Sequence, residues 1–512
     1  MSKSTKDKIK ILDDKVAELN KPLSKYKLST SLKDNVAMMK VLFEDDDIFL
    51  MREIDNNNDS TIHFVLAYCN GLINARIINE NIIKPLTEAQ NIDTNNITDY
   101  LMKHVIQVDQ VKKTEKVEDI VKDVTYGDVI LFVDGVAEGL TLNTKLLEKR
   151  SITEPDNEKI LAGPREGFTE SMITNLSLIQ RKLRTNELKF KYMSLGEKTN
   201  TQVCICYIDS VVDKKIVAEL DKRLKKIKID GVLDTNYITE LARDNKWSPF
   251  RTSGYTERPD VVVGKLLEGR VAIVLDGTPM VLTIPYLFVE NFESGEDYYF
   301  SFYYTSFSRM LRILGFLLTI TVPAFYIAIV AYHKEMLPTS LFINIAIERQ
   351  SAPFPAALEA IIMLIVFDII KETGVRMPNN IGQALSIVGA IVIGQAAVTA
   401  KLVAAPMIIV VAFTGITSLL VPKLNAPVIV LRFGLLILAS TLGLFGLMVG
   451  LSLLIVHVLN LKSFGVPEAN PTSTYKFQDI KDLFFRSPLW KMTKRPKALS
   501  ANQTRLKSAG VK

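Results

Sequence analysis

The sequence predicts an α+β protein in which a duplicated α/β soluble N-terminal region is followed by an all-α transmembrane bundle. Nearly all the long apolar runs of the 512-residue chain lie between about residues 310 and 461, whereas residues 1 to about 300 are charged and mixed in pattern. Two strand-and-turn patterns also recur, in the same order, within the first half. The overall composition of 48% hydrophobic and 23% charged residues conceals this division.

The first repeated pattern reads as a buried strand, a polar turn and the start of a helix. It occupies residues 63–78 and returns at residues 202–217. Asn74 and Asp213 hold equivalent positions directly before an amphipathic segment, and both residue types cap helix N-termini well. The pattern therefore predicts two copies of one α/β unit.

The second repeated pattern is a strand that ends in an Asp-Gly turn. Residues 127–135 return as residues 269–277, which aligns Asp134-Gly135 with Asp276-Gly277. Asp-Gly pairs mark tight turns because these residues tolerate positive φ angles.

These patterns divide the chain into six predicted segments. They are a flexible basic arm (1–30), a first α/β subdomain (31–150), a linker with a helix (151–198), a second α/β subdomain (199–300), a transmembrane helical domain (301–465) and a basic C-terminal tail (466–512).

Charge and leader patterns predict the orientation of the chain. The N-terminus has no apolar core of a signal peptide, so we expect the first 300 residues to stay on the cytoplasmic side. From Lys462 onward the chain has eleven Lys or Arg and three acids, which favours a cytoplasmic tail on anionic lipid. This predicts an even number of crossings, either four with a re-entrant piece or six.

The sequence gives no sign of an enzyme, a cofactor or a metal site. Its four histidines are scattered, and no Ser or Cys stands in a nucleophile-elbow context. Cys204 and Cys206 fall on one face of a predicted strand, where we expect buried structural thiols and not a metal or redox pair. The net charge of +6 gathers near the membrane ends, which fits membrane topology better than nucleic-acid binding.

Two acids interrupt the second apolar helix, predicted over 356–370. Charge inside such a helix is costly, so Glu359 and Asp368 should face protein or water. If several subunits surrounded an axis, Glu359 would form a ring of carboxylates that attracts cations. An equally favoured alternative is that Glu359 caps a helix or pairs with Arg349 near the interface.

The stretch 382–416 is rich in small residues and contains Lys401 as its single charge. This composition is typical of helices that pack closely in a bilayer, with Gly389 and Gly394 as predicted contact points. Gln395 and Lys401 complete the predicted ion-path residues.

The apolar segment that follows, 428–461, is too long for one bilayer core of about 30 Å. It is either a steeply tilted helix or a hairpin of two short helices broken near Gly443, Gly446 and Gly450.

The loop between the two repeats contains Gly163, Pro164 and Arg165 before a predicted helix. Such a loop could hold an anion on exposed N–H groups, and the alternative is a purely structural linker. The predicted interdomain loop residues are Gly163, Pro164, Arg165, Arg258, Asp260, Asp276 and Gly277.

Several long motifs occur in one order along about residues 31–465. They are Gly-Pro-Arg-Glu-Gly-Phe-Thr-Glu (163–170), Arg-Pro-Asp-Val-Val (258–262), Leu-Leu-Glu-Gly-Arg-Val-Ala-Ile-Val-Leu-Asp-Gly-Thr-Pro (266–279), Ser-Ala-Pro-Phe-Pro (351–355) with Glu359, and the stretch 382–416. These motifs, in this order, make the chain resemble the A subunit of GerA-family spore germinant receptors.

The resemblance implies an integral protein of the spore inner membrane. Such a subunit would act with a transporter-like B subunit and a lipoprotein C subunit, and respond to small nutrients by releasing monovalent cations. It also implies a homo-oligomer around a central channel. A non-conducting scaffold or accessory subunit of the SpoVAF type stays as the alternative, and a secondary transporter, which needs a midplane site at broken helices, is the weakest.

Overall fold

A computed structural model describes residues 23–376, 389, 392–469 and parts of the tail. The gaps in the first range are 60, 91, 94–95, 146–154, 156–157 and 159, and the described tail residues are 482, 484–496, 500 and 504–505. The predicted basic arm and residues 382–388 of the small-residue stretch therefore lie largely or wholly outside the described residues.

The chain divides into two compact units. An α/β unit comprises the described residues of Met1–Ala242, Ser253–Pro285 and Arg495–Thr504. A helical unit comprises those of Arg243–Thr252, Tyr286–Lys494 and Arg505–Lys512.

The α/β unit contains two five-stranded antiparallel sheets with one topology. The strands of the first sheet are β1 (Phe49–Asp55), β2 (His63–Cys69), β3 (Val111–Thr114), β4 (Val129–Val133) and β5 (Gly139–Leu142). Those of the second are β6 (Leu188–Leu195), β7 (Thr201–Ile208), β8 (Gly254–Thr256), β9 (Val271–Leu275) and β10 (Val281–Ile284). The orders β1-β2-β4-β5-β3 and β6-β7-β9-β10-β8 are equivalent, which confirms the predicted duplication and the α+β class.

Helices of similar position accompany each sheet. The first has α1 (Leu32–Leu42), α2 (Val117–Thr125) and short helical turns over Ala75–Ile77, Ile78–Ile83, Lys84–Glu88, Ile97–Tyr100 and Leu101–Val105. The second has α3 (Met172–Lys182), α4 (Lys214–Leu224), α5 (Thr235–Ala242) and α6 (Pro259–Leu267).

Both predicted N-caps are confirmed. The side chain of Asn74 accepts hydrogen bonds from Arg76 and Ile77, and that of Asp213 accepts one from Lys215. Each cap satisfies N–H groups that have no partner within the helix itself.

The repeated Asp-Gly turns link the sheets to the helices in the same way in both copies. Asp134 Oδ1 accepts the N–H of Leu32 at the start of α1, and Asp276 Oδ1 accepts the N–H of Met172 at the start of α3, each at 3.0 Å. The following residues, Gly135 and Gly277, have positive φ angles of 87° and 90°. The helix α3 and the strand β6 fall within the predicted linker 151–198. In the structure both are part of the second copy of the α/β fold.

One hydrophobic core joins the two copies. It includes Ile130 and Phe132 from the first sheet and Phe190 and Val274 from the second, all fully buried. Asp47, which follows α1, lies at this junction, because its N–H donates to Phe190 O and its carboxylate accepts the N–H of Tyr192.

The helical unit contains several helices of more than ten residues. They are α7 (Phe302–Tyr332), α8 (Thr339–Gln350), α9 (Ala356–Arg376), α10 (Ala405–Ser418) and α11 (Asn425–Asn460), with residues 392–399 also helical. Short strands β11 (Lys462–Ser463) and β12 (Val466–Pro467) follow α11.

Helix α11 is a sharp hairpin, the second of the two predicted alternatives. Gly443 has φ 63° and ψ −141°, which interrupts the helix and suits glycine. A Cβ atom at Gly450 would overlap the side chain of Leu435, so these two residues face each other across the turn. In a straight helix they would be roughly 22 Å apart.

In the part of the chain that the structure describes, two segments, Phe302–Tyr332 and Pro422–Asn460, are long and apolar enough to cross a membrane. Much of the helical unit also exposes large apolar side chains, including Phe445, Leu453 and Ile455. Such surface is unusual for a protein that contacts water alone.

Candidate functional site

Glu359 lies in the first turn of α9 and is 1% exposed. Its Oε1 atom accepts the N–H of Ala404, the residue directly before α10. The positive end of a helix dipole favours a carboxylate at this place. The structure therefore shows Glu359 as a helix cap within one chain, which was the alternative to an exposed pore charge.

The second oxygen of the Glu359 carboxylate has no hydrogen-bond partner among the described residues. The Nε atom of Arg349 likewise has none there, although Arg349 is close enough to act electrostatically on Glu359. A buried polar atom without a partner is costly. The site is thus incompletely satisfied in a single copy of the chain.

Asp368 lies further along α9 and forms an ion pair with Arg432 of α11. Arg432 is almost fully buried, so the pair neutralises a cation among apolar helices. One turn beyond Asp368, Lys371 donates to Asn425 Oδ1 at 3.0 Å and to Ser418 Oγ at 3.3 Å. These contacts connect α9 with the ends of α10 and α11.

The other predicted ion-path residues are on the surface of the helical unit. Gln395 is exposed in the helical segment 392–399, and Lys401 is exposed with a φ angle of 54° in the turn before α10. A Cβ atom on Gly394 would lie 3.4 Å from Ile408, and one on Gly389 would lie 3.9 Å from Ile370. Neither glycine makes the very close approach that Gly446 and Gly450 make within the hairpin.

The structure also contains a buried charge cluster that the sequence analysis did not predict. Arg309 of α7 is fully buried, and its Nε and Nη1 atoms donate to Asp297 and Asp482 at 2.8 and 2.9 Å. Arg312 also contacts Asp297, at 3.0 Å. The two arginines, three residues apart on one helix face, were a signal for such a cluster, but Asp482 is distant in the sequence.

In the α/β unit, Arg258 fixes the Gly-Pro-Arg loop. Its Nη2 atom donates to the carbonyl of Pro164 at 2.8 Å and to Asp260 at 2.7 Å, and its side chain is buried. Gly163 has a φ angle of 120°, and Arg165 is exposed.

The start of the next helix, α3, already has acceptors for its N–H groups. Asp276 and the Ser171 hydroxyl supply them. These contacts favour a structural loop over an anion site.

The three cysteines are free and buried, as expected for structural thiols. Within the described residues, no group of three or more His, Cys, Asp or Glu side chains could hold a metal ion.

The family model of the Bacillus/Clostridium GerA spore germination protein matches residues 37–498 of the chain. The chain belongs to the GerA family. This match spans both copies of the α/β unit and the helical unit, and it confirms the resemblance that the motifs indicated.

Several relatives of this GerA-family chain match over most of its length. Spore germination protein KA of Bacillus subtilis (strain 168) is 39% identical, over 92% of this chain and 87% of that protein. The uncharacterized membrane protein YfkQ of the same strain is also 39% identical, over 94% of each chain. Spore germination protein A1 of that strain is 32% identical, over 89% of this chain and 94% of that protein.

A solved structure is also similar to the GerA-family chain. It is the N-terminal domain of the A subunit of the Bacillus megaterium spore germinant receptor GerK3, with 29% sequence identity and a TM-score of 0.42. The similarity covers 51% of this chain and 98% of that one.

Proposed function

We propose that this chain is the A subunit of a spore germinant receptor that responds to nutrients. In this proposal it is an integral protein of the spore inner membrane with its α/β unit in the cytoplasm, and it assembles with a transporter-like B subunit and a lipoprotein C subunit. Several copies surround a path for monovalent cations, whose release starts germination. The observation that carries the proposal is the family match over residues 37–498, which includes both units.

The helical unit has features that suit a membrane-embedded assembly. Its exposed apolar side chains fit lipid or a second copy of the chain, and its buried arginines Arg309 and Arg432 are paired with acids within the unit. The incomplete satisfaction of Glu359 and Arg349 in one copy supports an arrangement in which further contacts form on assembly. In the proposal, Glu359 lies beside the ion path with one oxygen on α10 and the other toward the path.

The experiment uses the full chain in liposomes, with and without its B and C subunits, and measures cation flux. Glu359→Gln keeps an acceptor for Ala404 and removes the charge, so we expect at least about tenfold lower flux, equivalent to ~1.4 kcal/mol. Glu359→Ala also removes the cap and should reduce assembly as well. Glu372→Gln is the matched control, because Glu372 is exposed on the same helix, and its flux should equal that of the unaltered chain.

Unchanged flux in Glu359→Gln would remove Glu359 from the ion path. Absence of flux from every assembly would favour the second candidate, a non-conducting scaffold. The internal cap made by Glu359 is the observation that favours this candidate, because a cap needs no ion path.

A further inference from the structure

A cavity of about 260 Å³ lies between the first half of α7 and the C-terminal end of α11 in the helical unit. Its walls are almost entirely apolar and include four phenylalanine rings. The residues that line it include Phe288, Phe292, Phe316, Val458, Glu468 and Phe484. The volume is below the roughly 300 Å³ at which pockets for drug-sized ligands begin, so the cavity suits a small molecule.

Glu468 is the one ionisable side chain among the described residues of this wall. It is 2% exposed, and neither of its carboxylate oxygens has a hydrogen-bond partner in the part of the chain that the structure describes. Its backbone is fixed, because its N–H donates to Leu461 at 3.0 Å. A buried carboxyl group is costly without a partner, so its presence in an apolar wall requires an explanation.

The surroundings of Glu468 are negative. The carboxylates of Glu290 and Asp244 act on it electrostatically, and together with burial they raise its pKa to about 8. This negative potential stabilises a bound cation and destabilises a bound anion. The faces of the phenylalanine rings attract cations in the same way.

We propose that the cavity binds a small amphipathic amine, with the ammonium group on Glu468 and the alkyl part among the phenylalanine and leucine side chains. The ammonium supplies the donors that the carboxylate lacks, and the alkyl part leaves water for an apolar wall. A phospholipid amine would bring a phosphate toward the same carboxylates, so a free amine fits better. The proposal is independent of cation conduction.

The test measures binding to the full chain in phosphatidylcholine nanodiscs by calorimetry. The probes are hexylamine, 1-hexanol and hexanoate, which share one alkyl chain and differ in charge. The unaltered chain should bind hexylamine at least tenfold more tightly than hexanol and should reject hexanoate. A proton should be released as the ammonium enters, visible as a heat that depends on the buffer.

Two variants separate the carboxyl group from the cavity. Glu468→Gln should lower hexylamine affinity at least tenfold and leave hexanol affinity unchanged. Val458→Phe should fill the cavity and abolish binding of both. Equal affinity for hexylamine and hexanol in the unaltered chain, or unchanged hexylamine affinity in Glu468→Gln, would overturn the proposal.

If a variant fails to fold, the comparison of hexylamine with hexanol affinity in the unaltered chain still tests the proposal. Nanodiscs that contain phosphatidylethanolamine test the lipid source. We expect the same hexylamine affinity in them, and competition by that lipid would overturn the assignment to a free amine.

Discussion

The two units differ in the kinds of side chain that they expose. In the α/β unit, every residue of β4 and β9 is apolar and buried. In the helical unit, Arg309, Arg432 and Glu359 are among the most completely buried residues, whereas many large apolar side chains are exposed. This difference supports the proposal that the α/β unit faces water and the helical unit an apolar surrounding.

The largest expected effect comes from a buried arginine in the helical unit. Arg309→Ala breaks the ion pairs of Arg309 with Asp297 and Asp482, and Asp297 keeps its ion pair with Arg312. Breaking a buried pair costs about 3–5 kcal/mol. Arg76→Ala is the control in the α/β unit, because its ion pair with Glu80 is exposed and such pairs contribute little. Thermal unfolding of the full chain in detergent measures both. Equal shifts of the melting temperature in the two variants would contradict the stated difference between the two units.

The next effect is the pH dependence that Glu468 adds. Burial raises its pKa from an ordinary 4.5 to about 8, so between these values the folded chain holds a proton that the unfolded chain has lost. This contribution to stability is present below pH 4.5 and is lost as the pH rises through 8. Relative to Glu468→Gln, the unaltered chain should lose roughly 2–4 kcal/mol between pH 5 and pH 8, at about 1.4 kcal/mol per unit.

The measurement is the melting temperature of both proteins across that pH range. Parallel curves would contradict the assignment of this pH dependence to Glu468.

The smallest effect tests equivalence within the α/β unit. Asp134→Ala and Asp276→Ala each remove one cap from a helix, which costs about 1 kcal/mol. Asparagine at either position keeps the acceptor and should change stability little. Denaturant unfolding of the four variants measures this, and a loss at one position alone would show that the two copies use the turn differently.

The sheets could be predicted from the sequence because the same two strand-and-turn patterns occur twice in the same order. The pattern of residues 127–135 recurs at residues 269–277, which placed Asp134 and Asp276 at equivalent turns. The other repeated pattern identified the caps Asn74 and Asp213 in the same way. The strand β6 was missed because it lies at the edge of its sheet and alternates Lys with apolar residues, a pattern that resembles a polar linker.

The contacts of the helical unit were less predictable. Glu359 was identified as a buried acid, but its acceptor role depends on Ala404, which is 45 positions away. Arg309 and Asp482 are 173 positions apart. No sequence period links such positions, because helices in a bundle pair through space and any turn of one can meet any turn of another.

The most direct test of the central claim asks which solvent surrounds each unit. Single cysteines that carry a fluorophore are placed at Ile437 and Leu453 in the helical unit and at Leu161 and Leu233 in the α/β unit, all of them exposed. The full chain is then reconstituted in liposomes with spin-labelled lipid or with an aqueous quencher. We expect the lipid to quench the first pair and the aqueous reagent to quench the second. Aqueous quenching at Ile437 and Leu453, without quenching by lipid, would contradict a membrane-embedded helical unit.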